Sequence, residues 1–164
     1  MPEATIRIES LTKADVAAAV ELAVRVLRVK PGDRGEQFTA DITDERRQMF
    51  TAKANNQVVA YGRVLELAAA EAGGRTPAGC YLSGVLVEPA WRGRGIATAL
   101  TRARLRWACG WTDTVFYVTG ADNTASLHLH AVLGFQEIMR FESGRSAVGM
   151  DVLSQLVCNS DGCR

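Results

Sequence analysis

The stretch Val85-Leu86-Val87-Glu88-Pro89-Ala90-Trp91-Arg92-Gly93-Arg94-Gly95-Ile96-Ala97 decides how this chain is expected to fold. A continuous apolar run and a proline lead through a basic, glycine-containing turn into an amphipathic segment. This pattern predicts a buried strand, a loop and the start of a helix. The first turn of a helix carries N–H groups without intrahelical partners and a partial positive charge, so it binds phosphate. Because the glycines allow close backbone approach and the arginines add charge, the stretch predicts a site for a phosphate-bearing cofactor.

The other elements follow from hydrophobic periodicity and turn residues. Strands are predicted at residues 5–9, 49–52, 58–65, 81–87, 115–118, 135–141 and 147–153, helices at 16–27, 96–107 and 123–133, a loop or short helix at 32–45 and an exposed loop at 71–77. Asn55-Asn56 predicts a hairpin turn, and Thr12 with Asp15 predicts a helix cap. Gly134 is placed for the left-handed end of the last helix.

The strand, helix and strand between Tyr81 and Val118 form one crossover unit, so the two strands are predicted to be parallel. Ligands bind beyond the carboxyl ends of parallel strands. The loop after Val87 and the helix after Val118 both begin at such ends, and we expect them to face a common cleft. The predicted fold class is α/β (α+β), a single domain with a mixed sheet.

A chain of 164 residues, 48% hydrophobic and 23% charged, has the composition of one soluble globular domain. We expect this domain to span residues 1–155 and residues 156–164 to form a disordered tail. No apolar run approaches the ~20 residues of a membrane span, and the N-terminus lacks the features of a signal peptide. A cytoplasmic location without a membrane partner is therefore predicted, and a homodimer is left open.

The net charge of +1 gives no reason to expect a nucleic-acid partner. In the basic cluster of Arg102, Arg104 and Arg106, the first and the last are four residues apart and share one helix face, which is interpreted as solvated. The four cysteines are Cys80, Cys109, Cys158 and Cys163. They form no Cys-x-x-Cys pair, so they are predicted to be free thiols in a reducing compartment, and no metal site is predicted.

Two blocks of the sequence resemble the GNAT superfamily of N-acetyltransferases. Arg-x-x-Gly-x-Ala, from Arg92 to Ala97, is similar to its acetyl-CoA signature, and residues 123–135, which end in Leu-Gly-Phe, look like its asparagine helix. With the strands between them the blocks cover roughly residues 80–140. The resemblance implies a mostly antiparallel mixed sheet with a central splayed parallel strand pair, flanked by helices. It also implies acetyl-CoA as co-substrate and direct acetyl transfer.

The resemblance assigns residues to acetyl-CoA. It implies pantetheine contacts from Val85, Leu86 and Val87. Asn123 would hold the arm from the other side, and Ser126 shares its helix face. The pyrophosphate contacts are implied for Arg92, Gly93, Arg94, Gly95, Ile96, Ala97 and Thr98.

His130 is the candidate that would protonate the departing CoA sulfur. It lies on the helix face of Asn123 and Ser126, where the family more often places a tyrosine. An imidazole with a pKa of ~6.5 can donate a proton to the departing CoA sulfur, because the resulting thiol should resemble that of cysteine, whose pKa is ~8.5. The structural alternative is a buried histidine bonded to a backbone carbonyl. His128 lies about 200° away around the helix and is predicted to be on the surface.

The amine must lose a proton, and Glu66 and Asp122 are the candidates to accept it. Residues 81–87 and 122–137 are similar to aminoglycoside 6'-N-acetyltransferases, which commonly carry a glutamate where this chain has Ser83. The predicted acceptor is therefore a primary amine of a small polar molecule, with an aminoglycoside antibiotic, and so antibiotic resistance, as the leading candidate. Further carboxylates for a cationic acceptor would come from Glu36, Asp41, Asp44 or Glu45.

Three alternatives stay open. The chain is a protein or peptide N-acetyltransferase, a non-catalytic CoA-binding module, or a dinucleotide-binding domain. The last rests on Gly93-x-Gly95 with Asp113 about 20 residues further on, but Thr98 stands where a third glycine is needed.

Overall fold

The computed structural model describes residues 4–68, 75–143 and 146–159. The strands are β1 (Ile6–Ser10), β2 (Arg47–Ala54), β3 (Gln57–Leu67), β4 (Gly79–Val87), β5 (Thr114–Gly120), β6 (Gln136–Glu142) and β7 (Met150–Val157), and the helices are α1 (Val16–Leu27), α2 (Arg34–Thr43), α3 (Ile96–Ala108) and α4 (Thr124–Val132). No helix in these described ranges is long and apolar enough to span a bilayer.

The seven strands form one sheet in the order β1-β2-β3-β4-β5-β7-β6. β4 and β5 are parallel, as the α3 crossover predicts, and they pair at Cys80–Leu82 with Val115–Tyr117 while β4 continues to Val87. The β1–β2, β2–β3, β5–β7 and β6–β7 pairs are antiparallel. The predicted class, a mixed and mostly antiparallel sheet with a parallel pair and flanking helices, is confirmed.

Contacts divide the chain into two compact units, one of residues up to Leu65 with Gly84–Arg104, and one of Glu66–Ser83 with residues from Leu105 onward. In the first unit, alternate residues of the strands serve two separate apolar clusters. One cluster joins α1 and α2 to the strands: Leu11, Ala19, Leu22, Ala23, Phe38, Met49, Val58, Tyr61 and Leu86. The other joins the start of α3 to the strands: Ala52, Ala54, Val59, Ala60, Val87, Ile96 and Leu100. Strands covered by helices on both faces explain the long apolar runs.

The segment at residues 32–45 was predicted to form either a loop or a short helix. It contains the ten-residue helix α2. Its Phe38 is buried and meets the Tyr61 ring edge-on at 5.3 Å. The predicted hairpin turn is confirmed, with Asn55 and Asn56 at φ 50° and 62°. These left-handed angles fit a turn that matches the twist of β2 and β3.

The second unit contains one disulfide, between Cys109 and Cys158, so the prediction of free thiols is wrong for these two. The antiparallel pairing of β7 with β5 brings the two Cα atoms, 49 residues apart in sequence, within 5.6 Å. Cys80 is a buried free thiol. β7 continues to Val157, two residues beyond the expected domain end, while Cys163 and residues 71–74 of the expected loop lie outside the described ranges.

Candidate active site

The loop before α3 is held by its own arginines in the first unit. A 3-10 turn at Pro89–Trp91 follows β4. The Nε of Arg92 donates to the carbonyl of Val87 at 3.1 Å, and the Arg94 guanidinium lies 4.8 Å from the centre of the Trp91 ring. Both arginines therefore fix the shape of the loop while they keep their positive charge beside it.

Gly93 and Gly95 both have left-handed backbones, with φ 74° and 75°. A Cβ at either position would meet nothing within 4 Å, so both glycines border open space. The N–H of Ala99 donates to the Gly95 carbonyl at 3.0 Å, so the N–H groups of the three preceding residues, Ile96, Ala97 and Thr98, belong to the first helical turn. Open space beside a helix N-terminus fits a phosphate group.

The three β4 residues before this loop alternate in environment. Leu86 packs in the cluster with α1 and α2, whereas Val87 packs in the cluster with α3. The side chain of Val85, on the same face as Val87, is 39% exposed. Val85 is therefore the one of the three with apolar surface available to a ligand.

In the second unit, Asn123 begins α4 as its capping residue. Its Oδ1 accepts from the N–H of Ser126 at 3.2 Å. Satisfying an N–H of the first turn is what an asparagine does at this position. The Ser126 hydroxyl donates to the Tyr117 hydroxyl at 3.4 Å, which links α4 to β5.

His130 is buried against aromatic rings. Its ring stacks on Tyr117 with centroids 3.6 Å apart and meets Phe135 edge-on at 5.2 Å. Its Nδ1 lies 2.8 Å from the Ser126 carbonyl. Since a carbonyl oxygen only accepts, Nδ1 must carry the hydrogen, and in the neutral ring Nε2 then has a lone pair. His128, by contrast, is exposed as predicted.

Tyr117 is a candidate that the sequence analysis missed. It is 4% exposed, and burial raises the pKa of its hydroxyl, although hydrogen bonds with Ser126 and Thr119 act in the opposite direction. The hydroxyl therefore keeps its proton at neutral pH and can donate it. Alternation along β5, with Val115 and Tyr117 on one face, was the available signal.

Asp122 lines a polar cavity at the end of β5. The cavity measures about 330 Å³ and is lined by Gly120, Asp122, Asn123, Ser146 and Ala147. A Cβ on Gly120 would lie 2.6 Å from the Asp122 carboxylate, so only glycine leaves that carboxylate where it is.

The other acidic candidates have different surroundings. Glu66 is exposed near the end of β3, and its charge acts on the Cys80 thiol, whose pKa burial raises to about 12. Asp41 is buried and accepts two bonds from the Arg63 guanidinium, at 2.6 and 3.1 Å, so it is not available to a cationic acceptor. Asp44 pairs with Arg47 at 3.3 Å.

Comparison with known proteins shows the family to which the chain belongs. Residues 17–135 match the family model described as the Acetyltransferase (GNAT) family. The chain belongs to the GNAT family. It is thus an acetyltransferase that uses acetyl-CoA, and the resemblance read from the two sequence blocks is confirmed.

GNAT relatives of this chain differ in what they acetylate. The N-alpha-acetyltransferase RimI of Mycobacterium tuberculosis is 28% identical over 134 residues, 81% of this chain and 80% of the relative. The aminoglycoside N(6')-acetyltransferase type 1 of Acinetobacter haemolyticus is 36% identical over 103 residues, 57% of this chain and 70% of the relative. The structure of yncA from Salmonella typhimurium, solved with its cofactor acetyl-CoA, superposes with a TM-score of 0.76 at 22% identity, covering 95% of each chain.

Within the GNAT fold the predicted site residues fall into two groups. The β4 residues and the whole phosphate loop lie together in the first unit. Asp122, Asn123, Ser126 and His130 lie together in the second unit, along the end of β5 and α4, and Glu66 belongs to the same unit at the end of β3.

Proposed function

We propose that this enzyme transfers the acetyl group of acetyl-CoA to a primary amine of a small polar molecule, with an aminoglycoside as the leading candidate. The observation that carries the proposal is the polar cavity of about 330 Å³ beside Asp122. Its volume is in the range of small-molecule sites, and its carboxylate favours a cationic ligand. The 36% identity to an aminoglycoside acetyltransferase supports the same class.

The phosphate loop would hold the co-substrate through backbone groups. Gly93 and Gly95 leave open space for the pyrophosphate, and the first-turn N–H groups of α3 donate to it. The exposed side chain of Val85 would contact the pantetheine arm. Acetyl-CoA, when bound, supplies the acetyl group activated as a thioester.

His130 would supply the proton that the CoA sulfur takes up. Because its Nδ1 hydrogen is engaged by the Ser126 carbonyl, the transferred proton must come from Nε2 of the doubly protonated ring. Tyr117, stacked on His130, offers a hydroxyl as the second candidate. The two candidates predict different pH dependence, since only the histidine must be cationic to donate.

Asp122 would bind the acceptor ammonium group and then receive its proton. Its carboxylate faces the cavity, where a neighbouring glycine leaves it room. Glu66, near the end of β3, is the alternative candidate for the base. Neither Asp41 nor Asp44 fits this role, because each already pairs with an arginine.

A protein or peptide N-terminus is the second candidate acceptor. It is favoured by the match to RimI, an N-alpha-acetyltransferase, which extends over 81% of this chain. Peptide and small-molecule acceptors both present an amine, so the chemistry of transfer does not separate them.

The test is an acceptor screen with thiol release from acetyl-CoA as the readout. The panel contains kanamycin- and neomycin-type amines, polyamines, amino acids and peptides with free N-termini. We expect saturable turnover on the aminoglycosides. Turnover confined to peptides would reject the small-molecule acceptor in favour of the second candidate, and an absence of turnover on every amine of the panel would reject both acceptors.

The role of Asp122 is tested by Asp122→Asn, with Asp113→Asn as the matched control. Asp113 immediately precedes β5 and Asp122 follows it closely, and both are exposed. Loss of the carboxylate should raise KM for a cationic acceptor by about tenfold, as expected for a lost charge-assisted contact. Equal effects of the two substitutions would remove Asp122 from the acceptor site.

A further inference from the structure

Arg104 of α3 is a buried cation whose bonds go only to neutral groups. It is 1% exposed. Its Nη1 donates to the Arg63 carbonyl at 3.1 Å, and its Nη2 donates to the Thr101 hydroxyl at 2.8 Å. Its Nε has no hydrogen-bond partner within the described ranges. Arg102 and Arg106, which share the helix face interpreted as solvated, are both exposed. Arg104 instead lies four residues after the buried Leu100 and on the same side of the helix.

Arg63, whose carbonyl accepts a hydrogen bond from Arg104, has a carboxylate partner of its own. On the opposite face of β3, the Arg63 guanidinium is held by the buried carboxylate of Asp41. No described carboxylate pairs with Arg104, and burial lowers its pKa to about 9. An unbalanced buried charge is costly, so we expect an anionic group of a ligand to lie near it.

The position of Arg104 indicates which group this is. A Cβ on Gly62 would lie 3.0 Å from the Arg104 Nε and 3.1 Å from a Val85 methyl carbon. The guanidinium and Val85 therefore converge on one point, where glycine alone leaves room. On the proposed function, on which this inference rests, the phosphate loop would hold the pyrophosphate, and Val85 and Val87 would contact the pantetheine arm. The sulfur end of the arm would then lie on the side of Val85 and Arg104.

The sulfur is the only group of that arm that becomes anionic. During transfer the amine nitrogen bonds to the acetyl carbon, the carbon–sulfur bond breaks, and its electron pair stays on sulfur. The proton released by the amine balances the one that the sulfur finally takes up. We propose that the uncompensated guanidinium of Arg104, buried behind Val85, stabilises CoA in its thiolate form. Arg104 does not touch the reacting atoms and is thus a positioning residue that acts through its electric field.

The experiment titrates the thiol of bound CoA. Thiolate absorbance in the ultraviolet is followed against pH for the CoA complex, with the desulfo-CoA complex as the blank. Since the pKa of Cys80 is raised to about 12, this protein thiol stays silent in the range used. A positive charge buried near the sulfur should lower the pKa of the bound CoA thiol by about one unit relative to free CoA.

The variants separate charge from packing. Arg104→Met should return the thiol pKa to the free value or above, and lower kcat about tenfold with KM for acetyl-CoA nearly unchanged. Arg104→Lys should keep part of the shift. Arg102→Met, an exposed arginine on the same helix, is the control and should change neither quantity.

A thiol pKa in the wild-type complex equal to that of free CoA would overturn the inference, without need of any variant. So would a shift that survives in Arg104→Met. If Arg104→Met does not fold, the thiol pKa of bound CoA in the wild type and in Arg104→Lys is compared with that of free CoA. A pKa equal to the free value in the wild type would again overturn the inference. If CoA and desulfo-CoA both fail to raise the melting temperature of the wild type, the proposed cofactor site itself is wrong.

Discussion

At the scale of single residues, one hydrogen bond limits what His130 can do. The carbonyl of Ser126 fixes the Nδ1 hydrogen, so the neutral ring presents a lone pair at Nε2. Stacking on Tyr117 and the edge contact with Phe135 hold the ring in this orientation. The residue can therefore serve as a proton donor only when it carries two ring protons.

We predict that His130→Ala lowers kcat by about 100-fold, the usual contribution of a positioned general acid. Activity that depends on this donor should also fall as pH rises, because the cationic ring is lost. His128→Ala, an exposed histidine on the same helix, should change little, and His130→Tyr should retain part of the activity. Wild-type turnover by His130→Ala would assign the ring a structural role, and Tyr117→Phe would then test the second donor.

Gly95 tests the phosphate loop. We predict that Gly95→Val abolishes the thermal stabilisation by acetyl-CoA, which for the wild type should reach ~2.7 kcal/mol at 100 times Kd. Gly32→Val is the matched control, because Gly32 also has a positive φ and open space around its Cβ position but lies before α2. Both variants carry the same kind of backbone strain. A melt of Gly95→Val that still responds to acetyl-CoA would contradict the loop assignment.

Among the secondary-structure elements, the start of α1 is linked to the sheet by an ion pair. The Thr12 N–H and hydroxyl both donate to the Asp15 carboxylate, at 3.2 and 2.6 Å. Lys53 of β2 lies 2.9 Å from the same carboxylate. Burial alone would raise the pKa of Asp15, but the bonds with Thr12 and Lys53 outweigh it and lower that pKa.

We predict that Asp15→Asn reduces the unfolding free energy by about 1 kcal/mol at neutral pH. A carboxyl with a lowered folded pKa contributes stability above its unfolded pKa of ~3.9 and loses it as pH falls through the folded value. The difference between wild type and variant should therefore shrink below pH ~4, as measured by urea unfolding. Asp33→Asn is the control, since the Asp33 side chain makes no capping bond in the described part of the chain. If the difference in unfolding free energy between wild type and Asp15→Asn does not depend on pH, the charge of Asp15 is not the source of the stabilisation.

At the scale of the whole molecule, the Cys109–Cys158 bond joins segments that are 49 residues apart. It connects the end of α3 to the residue after β7, and the Cys158 N–H also donates to the Asp113 carbonyl at 2.8 Å. The cross-link limits the unfolded chain more than it changes the folded one.

We predict that reduction of this bond lowers the unfolding free energy by about 2–4 kcal/mol. The measurement is chemical denaturation with and without a dithiol reductant. The double variant Cys109→Ser and Cys158→Ser is the control, and its stability should not respond to the reductant. Four titratable thiols in the unfolded but unreduced protein, instead of two, would show that the bond does not form.

Much of the architecture could be read from the sequence because its signals are local. The strand, loop and helix around Gly93 and Gly95, and the hairpin at Asn55-Asn56, depend on backbone angles that a few neighbouring residues set. The parallel pairing of β4 with β5 followed from the hand and length of one crossover. These local signals were also enough to identify the GNAT family.

Only the tertiary structure decided which side chains meet. Arg104 lies four residues from a buried leucine, but its neighbours on β3, the Arg63 carbonyl and the space at Gly62, come from a distant part of the chain. Asp41 with Arg63 and Cys109 with Cys158 join residues that are distant in sequence. Sequence periodicity gives the face on which a residue lies, whereas the partner on that face depends on strand register and helix packing, which long-range contacts determine.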